Sequence, residues 1–207
     1  MNIQQMFIWL CIISCAFLCG SVMFSRIIPK ALMKKDICLL SPDANPGAAN
    51  VFTYCGIRMG LLCLFMDMAK GYFPVYIAYK VFGTGSLLFA LVITAPVLGH
   101  AIAPFDKIRG GKCIATAFGV LLALLPVTRC VLILAGLYIL FSTIIKINPN
   151  SKRSVVTFSL FGLISFVFLI IKGLIPIAAG CILISTIAVY KHISAKEKLP
   201  VGQIIKN

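Results

Sequence analysis

The sequence predicts an all-α integral membrane protein, a bundle of about seven transmembrane helices with its functional loops on the cytoplasmic side. Of the 207 residues, 61% are hydrophobic and 12% are charged. A soluble domain carries about 25% charged residues, so this chain lacks the polar side chains to cover a water-soluble globule. The apolar residues also form runs about as long as the 17–25 residues that cross a bilayer. We interpret residues 1–207 as a single transmembrane domain.

The predicted spans follow from these apolar runs, taken in chain order. The first run has neither a basic leader segment nor an Ala-x-Ala cleavage site, so it is interpreted as a retained span rather than a signal peptide. The later runs are short and closely joined, and Arg129 and Lys172 mark predicted turns between them. A smaller count, of about five or six spans, therefore stays open. The runs cover residues 6–26, 57–79, 84–105, 113–128, 130–146, 155–171 and 173–190.

The charge distribution orients these spans. Lys and Arg number 19 against five Asp and Glu, for a net charge of +14. With the N-terminus outside, only Lys80, Arg129 and Lys172 fall in outer loops, and Lys70 lies within a span. Basic residues concentrate in cytoplasmic loops, so we predict an outside N-terminus, a cytoplasmic C-terminus and a multi-pass protein of the bacterial plasma membrane. Such loops bind anionic ligands or lipid headgroups rather than nucleic acid.

The residue types argue against a metal centre. The chain has nine Cys and two His but no Cys-x-x-Cys pair, so no metal and no cofactor are expected, and the cysteines are interpreted as packing residues. The sequence also lacks a recognisable Ser-His-Asp set and a close pair of carboxylates. Any catalysis should therefore depend on positioning and charge stabilisation.

Residues 27–56 form a connection rich in turn-forming residues, and its segment 45–50 reads Asn-Pro-Gly-Ala-Ala-Asn. Glycine and small residues let backbone N–H groups approach an anion, and the flanking Asn side chains supply further donors. The pattern predicts an ordered anion-binding loop without periodic structure. A simple turn before the second span is the alternative.

Asp67 and Lys70 are spaced to share one face of a helix inside an apolar run. Ionisable residues within a bilayer cost about 2.5–3.5 kcal/mol each, so they normally face a bundle interior. The pair is either a structural ion pair or a substrate contact.

The strongest candidate combines His100 with the segment 109–112, which reads Arg-Gly-Gly-Lys. A Gly-Gly turn between two cations, just before a span, offers a phosphate backbone donors, a helix N-terminus and positive charge. It is not a Walker A loop, since the Gly-x-x-x-x-Gly-Lys-Ser/Thr pattern is absent. A loop that binds lipid headgroups is the alternative. His192 and Lys198 add polar groups at the end of the last span, and all these features share the predicted cytoplasmic face, which indicates anionic substrates.

Together these motifs resemble the bacterial acyl-phosphate-dependent glycerol-3-phosphate acyltransferases of the inner membrane. The resemblance covers about residues 18–125, with matching loop lengths, and no single motif in it is specific alone. It is carried by Gly20-Ser21, the segment 45–50, Asp67-x-x-Lys70-Gly71, Leu98-Gly99-His100 and the segment 109–112.

The resemblance implies a seven-helix bundle with cytoplasmic active-site loops. It also implies transfer of an acyl group from acyl phosphate to the 1-hydroxyl of glycerol 3-phosphate, giving lysophosphatidic acid for phospholipid biosynthesis. The partners would be these two substrates and membrane lipids, with the protein a monomer or weak oligomer. The implied catalytic residues are His100, His192 and Lys112. The implied phosphate-binding residues are Asn45, Gly47, Asn50, Lys70, Arg109, Gly110, Gly111, Lys112 and Lys198.

This chain departs from the family pattern at several site positions. Asp43 stands where the family has an active-site serine, Thr53 where it has an arginine, Ala195 where it has an asparagine and Cys113 where it has a glycine. An Asp43 carboxylate would place negative charge where an anion should bind. Two alternatives therefore stay open, namely a divergent paralogue with an altered or lost reaction and a small transporter or membrane-interaction subunit. The lack of repeated halves argues against transport.

Overall fold

The computed structural model describes residues 2–105 and 110–194, and these residues form α-helices and short connections without any β-strand. A five-residue π-helix, Leu140–Ile144, extends α8. The all-helical fold class is therefore confirmed. The α-helices are α1 (Ile3–Ser21), α2 (Phe24–Met33), α3 (Ile37–Leu40), α4 (Ala48–Cys55), α5 (Ile57–Phe82), α6 (Leu88–Ile102), α7 (Ile114–Ala123), α8 (Cys130–Ile139), α9 (Asn150–Ile171) and α10 (Ile175–Ile193).

Helix length and composition support a membrane protein. Among the described residues, 4 helices are long and apolar enough to cross a membrane, namely α1, α5, α9 and α10. The shorter apolar helices are α6, α7 and the segment Cys130–Ile144. Large apolar side chains such as Phe7, Phe65 and Leu163 are exposed, as a surface that faces lipid requires and a soluble protein avoids. Each predicted run contains a helix, but helix length does not establish that all of them cross the membrane.

The first predicted run, 6–26, is wrong at its end, because α1 stops at Ser21. The hydroxyl of Ser21 donates to the carbonyl of Phe17, and Val22 is extended. The break leaves the carbonyl of Val22 outside the helical ladder, where it accepts a hydrogen bond from Lys70. A buried cation thus takes up a carbonyl that the end of the helix sets free.

The predicted run 113–128 is likewise too long, because α7 ends at Ala123. Tight turns follow, with Val127 N–H donating to the carbonyl of Leu124, and Pro126 has no N–H with which to continue a helix. The run 84–105 contains a helix only from Leu88, whose N–H is capped by the hydroxyl of Ser86.

The connection 27–56 was predicted without periodic structure, and this is wrong, since it contains α2, α3 and α4. Its short helices are held together by polar contacts. Asp36 caps α3 by accepting from Cys38 N–H at 3.1 Å. The guanidinium of Arg26 on α2 donates two hydrogen bonds to the same carboxylate, at 2.9 and 3.2 Å. The ammonium of Lys35 donates to the carbonyl of Tyr54 near the end of α4 at 2.8 Å.

Close backbone approach between helices brings the site residues together. A Cβ on Gly20 of α1 would lie 2.1 Å from the carbonyl oxygen of Pro96 on α6, and one on Gly119 of α7 would lie 1.9 Å from the carbonyl oxygen of Met68 on α5. Neither contact leaves room for a side chain. Within this packing, Lys70 of α5 meets the C-terminal ends of α1 and α6 at Val22 and His100.

Candidate active site

Lys70 on α5 lies at the centre of a buried polar cluster. Its ammonium is 2.9 Å from Asp67 Oδ1 and 2.8 Å from His100 Nδ1, and it also donates to the carbonyl of Val22. The second oxygen of Asp67 accepts from the hydroxyl of Ser25 on α2. The side chains of Lys70 and Asp67 are 2% and 1% exposed. The ammonium thus has two hydrogen-bond contacts and one ion pair within the protein, which favours the structural reading of this pair over direct contact with a substrate.

The contact with Lys70 determines how His100 is oriented. A protonated amine can only donate, so Nδ1 of His100 accepts, and the hydrogen of the neutral ring is on Nε2. His100 is 3% exposed, and its ring faces the Gly-Gly turn. A Cβ on Gly111 would lie 2.1 Å from Nε2, so the ring lies directly against the glycine backbone.

The Gly-Gly turn is held against the C-terminal end of α6 by a backbone hydrogen bond and by close packing. The N–H of Gly111 donates to the carbonyl of His100 at 3.0 Å, and a Cβ on Gly110 would lie 2.2 Å from the carbonyl oxygen of Ala101. Lys191 of α10 donates to this same carbonyl of Ala101 at 2.8 Å. These contacts fix the positions of the turn, α6 and α10 relative to one another. They therefore also fix the position of Lys112, which directly follows the turn.

A second polar cluster surrounds the carboxylate of Asp43. Lys112 Nζ lies 2.8 Å from Oδ2, while Oδ1 accepts from Asn50 Nδ2 at 2.9 Å and from the backbone N–H of Asn45 at 3.2 Å. Asn50 Nδ2 also donates to the carbonyl of Asn45 at 2.9 Å. The side chains of Lys112 and Asp43 are 18% and 19% exposed. The loop before α4 and the turn before α7 therefore meet at a partly open, charged site.

The donors around Asp43 stabilise its charged form. Burial alone would raise the pKa of this carboxyl group, but the hydrogen bonds from Lys112 and Asn50 outweigh burial and hold the pKa below its ordinary value. Asp43 therefore stays ionised at neutral pH, as an internal anion bound by three converging donors.

His192, near the end of α10, lies within electrostatic reach of both Lys112 and Asp43. It is 4% exposed and lies against the backbone of Lys112, but neither of its ring nitrogens makes a hydrogen bond of good geometry with the described residues. Buried polar groups without a partner are rare. The ring therefore has hydrogen-bonding capacity that the described residues do not use.

Most of the predicted site residues meet at this end of the bundle. Gly47 is the N-cap residue of α4, and a Cβ on it would lie 2.6 Å from Asn45 Nδ2. Thr53 is exposed one turn beyond Asn50, with its hydroxyl bonded to the carbonyl of Ala49 at 3.2 Å. The predictions for Arg109, Ala195 and Lys198 lie outside the described residues.

Sequence reasoning missed several participants. Val22 and Ser25 carried no signal, because their roles depend on where α1 ends. Lys191 had one usable signal, its position next to His192 in the last turn of α10. No group of three or more His, Cys, Asp or Glu in the described part of the chain is placed to hold a metal ion.

Comparison with known proteins identifies the family to which this chain belongs. The family model for glycerol-3-phosphate acyltransferase matches residues 10–202. A glycerol-3-phosphate acyltransferase of Maridesulfovibrio salexigens is 37% identical over 58% of this chain, and that match spans 60% of the relative's length. The enzyme of that name from Aquifex aeolicus is 33% identical over 91% of this chain and 93% of its own.

Among solved structures, the crystal structure of PlsY, an integral membrane glycerol 3-phosphate acyltransferase, in its glycerol 3-phosphate form has a TM-score of 0.74 and 26% identity. The match covers 96% of this chain and 99% of that one. The predicted resemblance is thereby confirmed. This chain belongs to the glycerol-3-phosphate acyltransferase family.

Proposed function

We propose that this protein transfers an acyl group from acyl phosphate to the 1-hydroxyl of glycerol 3-phosphate, giving lysophosphatidic acid and inorganic phosphate. The observation that carries the proposal is the convergence of Lys112, Asn50 and the N–H of Asn45 on one anion. The ring of His192 lies beside them, and its nitrogens make no hydrogen bond of good geometry with the described residues. A phosphate oxygen is recognised by such a set of charged and neutral donors.

In the proposed reaction, the hydroxyl oxygen attacks the acyl carbonyl carbon. The bond between that carbon and the phosphate oxygen breaks, and its electron pair leaves with inorganic phosphate. Because the acyl group arrives already activated, the protein has to hold two anions, align the hydroxyl and receive its proton. Lys112 and the backbone of the Gly-Gly turn would offset the charge that develops on the leaving phosphate.

We assign the proton acceptor to His192 rather than His100. Nδ1 of His100 is engaged by Lys70, and with the Lys70 ammonium as donor the hydrogen of the neutral ring is on Nε2. Neither ring nitrogen of His192 makes a hydrogen bond of good geometry with the described residues. His100 would instead be a positioning residue that supports the Gly-Gly turn. Replacing His192 with Asn should lower kcat by about 10²-fold or more, with KM for glycerol 3-phosphate little changed.

The membrane arrangement we propose has seven spans, with the N-terminus outside and the site on the cytoplasmic side of a bacterial inner membrane. The distribution of Lys and Arg supports it. A protease site placed after residue 207 should be cleaved in inverted vesicles and protected in intact cells. The opposite pattern would overturn the orientation.

The activity is tested with purified protein in lipid, supplied with palmitoyl phosphate and labelled glycerol 3-phosphate. We expect labelled lysophosphatidic acid, and a loss of about 10²–10³-fold in Lys112→Ala. Lys152→Ala, which removes an exposed cation on α9, is the matched control and should behave as the wild type. Product from palmitoyl-CoA but not from palmitoyl phosphate would overturn the proposed donor, and no product from either would overturn the function.

A further inference from the structure

Asp43 uses the hydrogen-bond donors that a substrate phosphate would need. Its carboxylate accepts from Lys112 Nζ at 2.8 Å, from Asn50 Nδ2 at 2.9 Å and from the N–H of Asn45 at 3.2 Å. Phosphate and carboxylate oxygens are recognised by the same charged and neutral donors. A phosphate that binds Lys112 and Asn50 must therefore share these donors with Asp43 or displace it.

Sharing is unfavourable, because two anions against one ammonium repel each other at short range. Asp43 is part of the chain, so its effective concentration beside Lys112 is high and does not depend on the concentration of the protein. Its partners come from two separate segments, the loop before α4 and the turn before α7. The carboxylate thus ties these segments together until another anion replaces it.

We propose that Asp43 is a tethered competitor for substrate phosphate and thereby sets the substrate concentration at which the enzyme works. The inference rests on the proposed function, in that the competing anion is the phosphate of glycerol 3-phosphate or of acyl phosphate. It gives the aspartate a defined role as an affinity-determining residue at the site, rather than the role of a catalytic group.

The hydrogen bonding of the Asp43 carboxylate is consistent with its role as a competing anion. Both oxygens already accept hydrogen bonds, one from the ammonium and the other from two N–H groups. A carboxylate held in this way is a weak proton acceptor, because every donor around it favours the charged form. Asp43 is therefore better suited to occupy an anion site than to take a proton from the attacking hydroxyl.

The kinetic test compares the wild type with Asp43→Asn, which removes the charge and keeps the size of the side chain. KM is measured for each substrate in turn with the other saturating. We expect the KM of the substrate whose phosphate binds at Lys112 to fall by about tenfold, with kcat changed by less than about twofold. The substrate whose KM falls identifies the source of the phosphate.

Asp36→Asn is the matched control, because it neutralises another ion-paired aspartate of the same connection while keeping a side chain that can cap α3. Both KM values should stay at the wild-type level in this variant. A KM that is unchanged or raised for both substrates in Asp43→Asn would overturn the proposal. So would a collapse of kcat, since it would make Asp43 part of the reaction itself.

A binding measurement separates this proposal from the acyltransferase activity. Inorganic phosphate is titrated calorimetrically into the purified wild type and Asp43→Asn. Binding about tenfold tighter in the variant supports the competitor, even if neither protein forms lysophosphatidic acid and the proposed function fails. Equal affinity in the two proteins would overturn the competitor, even if acyl transfer is observed.

Discussion

Cys113 has an unusual backbone conformation for a residue with a side chain. It caps the N-terminus of α7 with φ at 68°, and it is 1% exposed. Left-handed backbone costs an L-residue about 1–2 kcal/mol. The family resemblance has glycine at this position, and glycine adopts the conformation without steric cost. The strain therefore belongs to this chain's own residue rather than to the turn.

Cys113→Gly should accordingly be more stable than Cys113→Ala by about 0.5–1 kcal/mol. Both variants lose the thiol, so the comparison isolates the backbone strain from the loss of packing. The measurement is thermal unfolding of both variants in the same detergent. An alanine variant as stable as the glycine variant would contradict the account of strain at this residue.

At the scale of elements, the Gly-Gly turn depends on contacts closer than any side chain permits. A methyl group on Gly111 would meet His100 Nε2 at 2.1 Å. The ring cannot retreat easily, because Lys70 holds its other nitrogen. The turn would have to move instead, and Lys112 with it.

Gly111→Ala should therefore lower kcat/KM for acyl transfer by about 10²-fold, the effect of a misplacement of about 1 Å. The matched control is Gly136→Ala on α8, where a Cβ would meet nothing within 4 Å. The measurement is a steady-state assay that compares kcat/KM of the two variants. Equal activity in both would show that the contact between the turn and His100 does not position Lys112.

The junction of α2 and α3 predicts a dependence of stability on pH. The hydrogen bond from Arg26 lowers the pKa of Asp36, and this effect outweighs the opposing effect of burial. A carboxyl group with a lowered pKa contributes stability above its unfolded pKa, near 3.8. That contribution is lost as the pH falls through the lower pKa of the folded state.

The wild type should exceed Asp36→Asn in melting temperature by a constant margin from about pH 5 to 8, and the margin should shrink below about pH 4. Thermal unfolding of the two proteins across this range measures it. A margin that persists unchanged into acid would show that the Asp36–Arg26 pair does not stabilise the connection.

At the scale of the whole molecule, composition and hydrophobic spacing predicted the membrane class and the all-helical fold, and the resemblance of the motifs predicted the family. They also placed Asn45, Asn50, Lys112 and His192 at one end of the bundle. These features are predictable because they depend on hydrophobic runs and on short motifs that are local in sequence. The spacing of Asp67 and Lys70 likewise predicted their pairing.

Features that depend on tertiary contact could not be predicted in this way. The carbonyl of Val22 reaches Lys70 only because α1 ends five residues before the predicted limit at residue 26. Lys70 was expected to bind phosphate. Instead its ammonium contacts Asp67, Val22 and His100, and this set of contacts forms only where three helices meet. The sequence indicated a conflict between the Asp43 carboxylate and a bound anion. The ion pair between Asp43 and Lys112 could be recognised only in the folded structure.

The measurement that tests the central claim most directly is a crystal structure of the protein with glycerol 3-phosphate bound. We predict a phosphate oxygen within hydrogen-bond distance of Lys112 Nζ, about 2.7–2.9 Å, with Asp43 turned away and the glycerol 1-hydroxyl facing His192. A phosphate bound elsewhere, with the Asp43–Lys112 pair intact, would contradict the account.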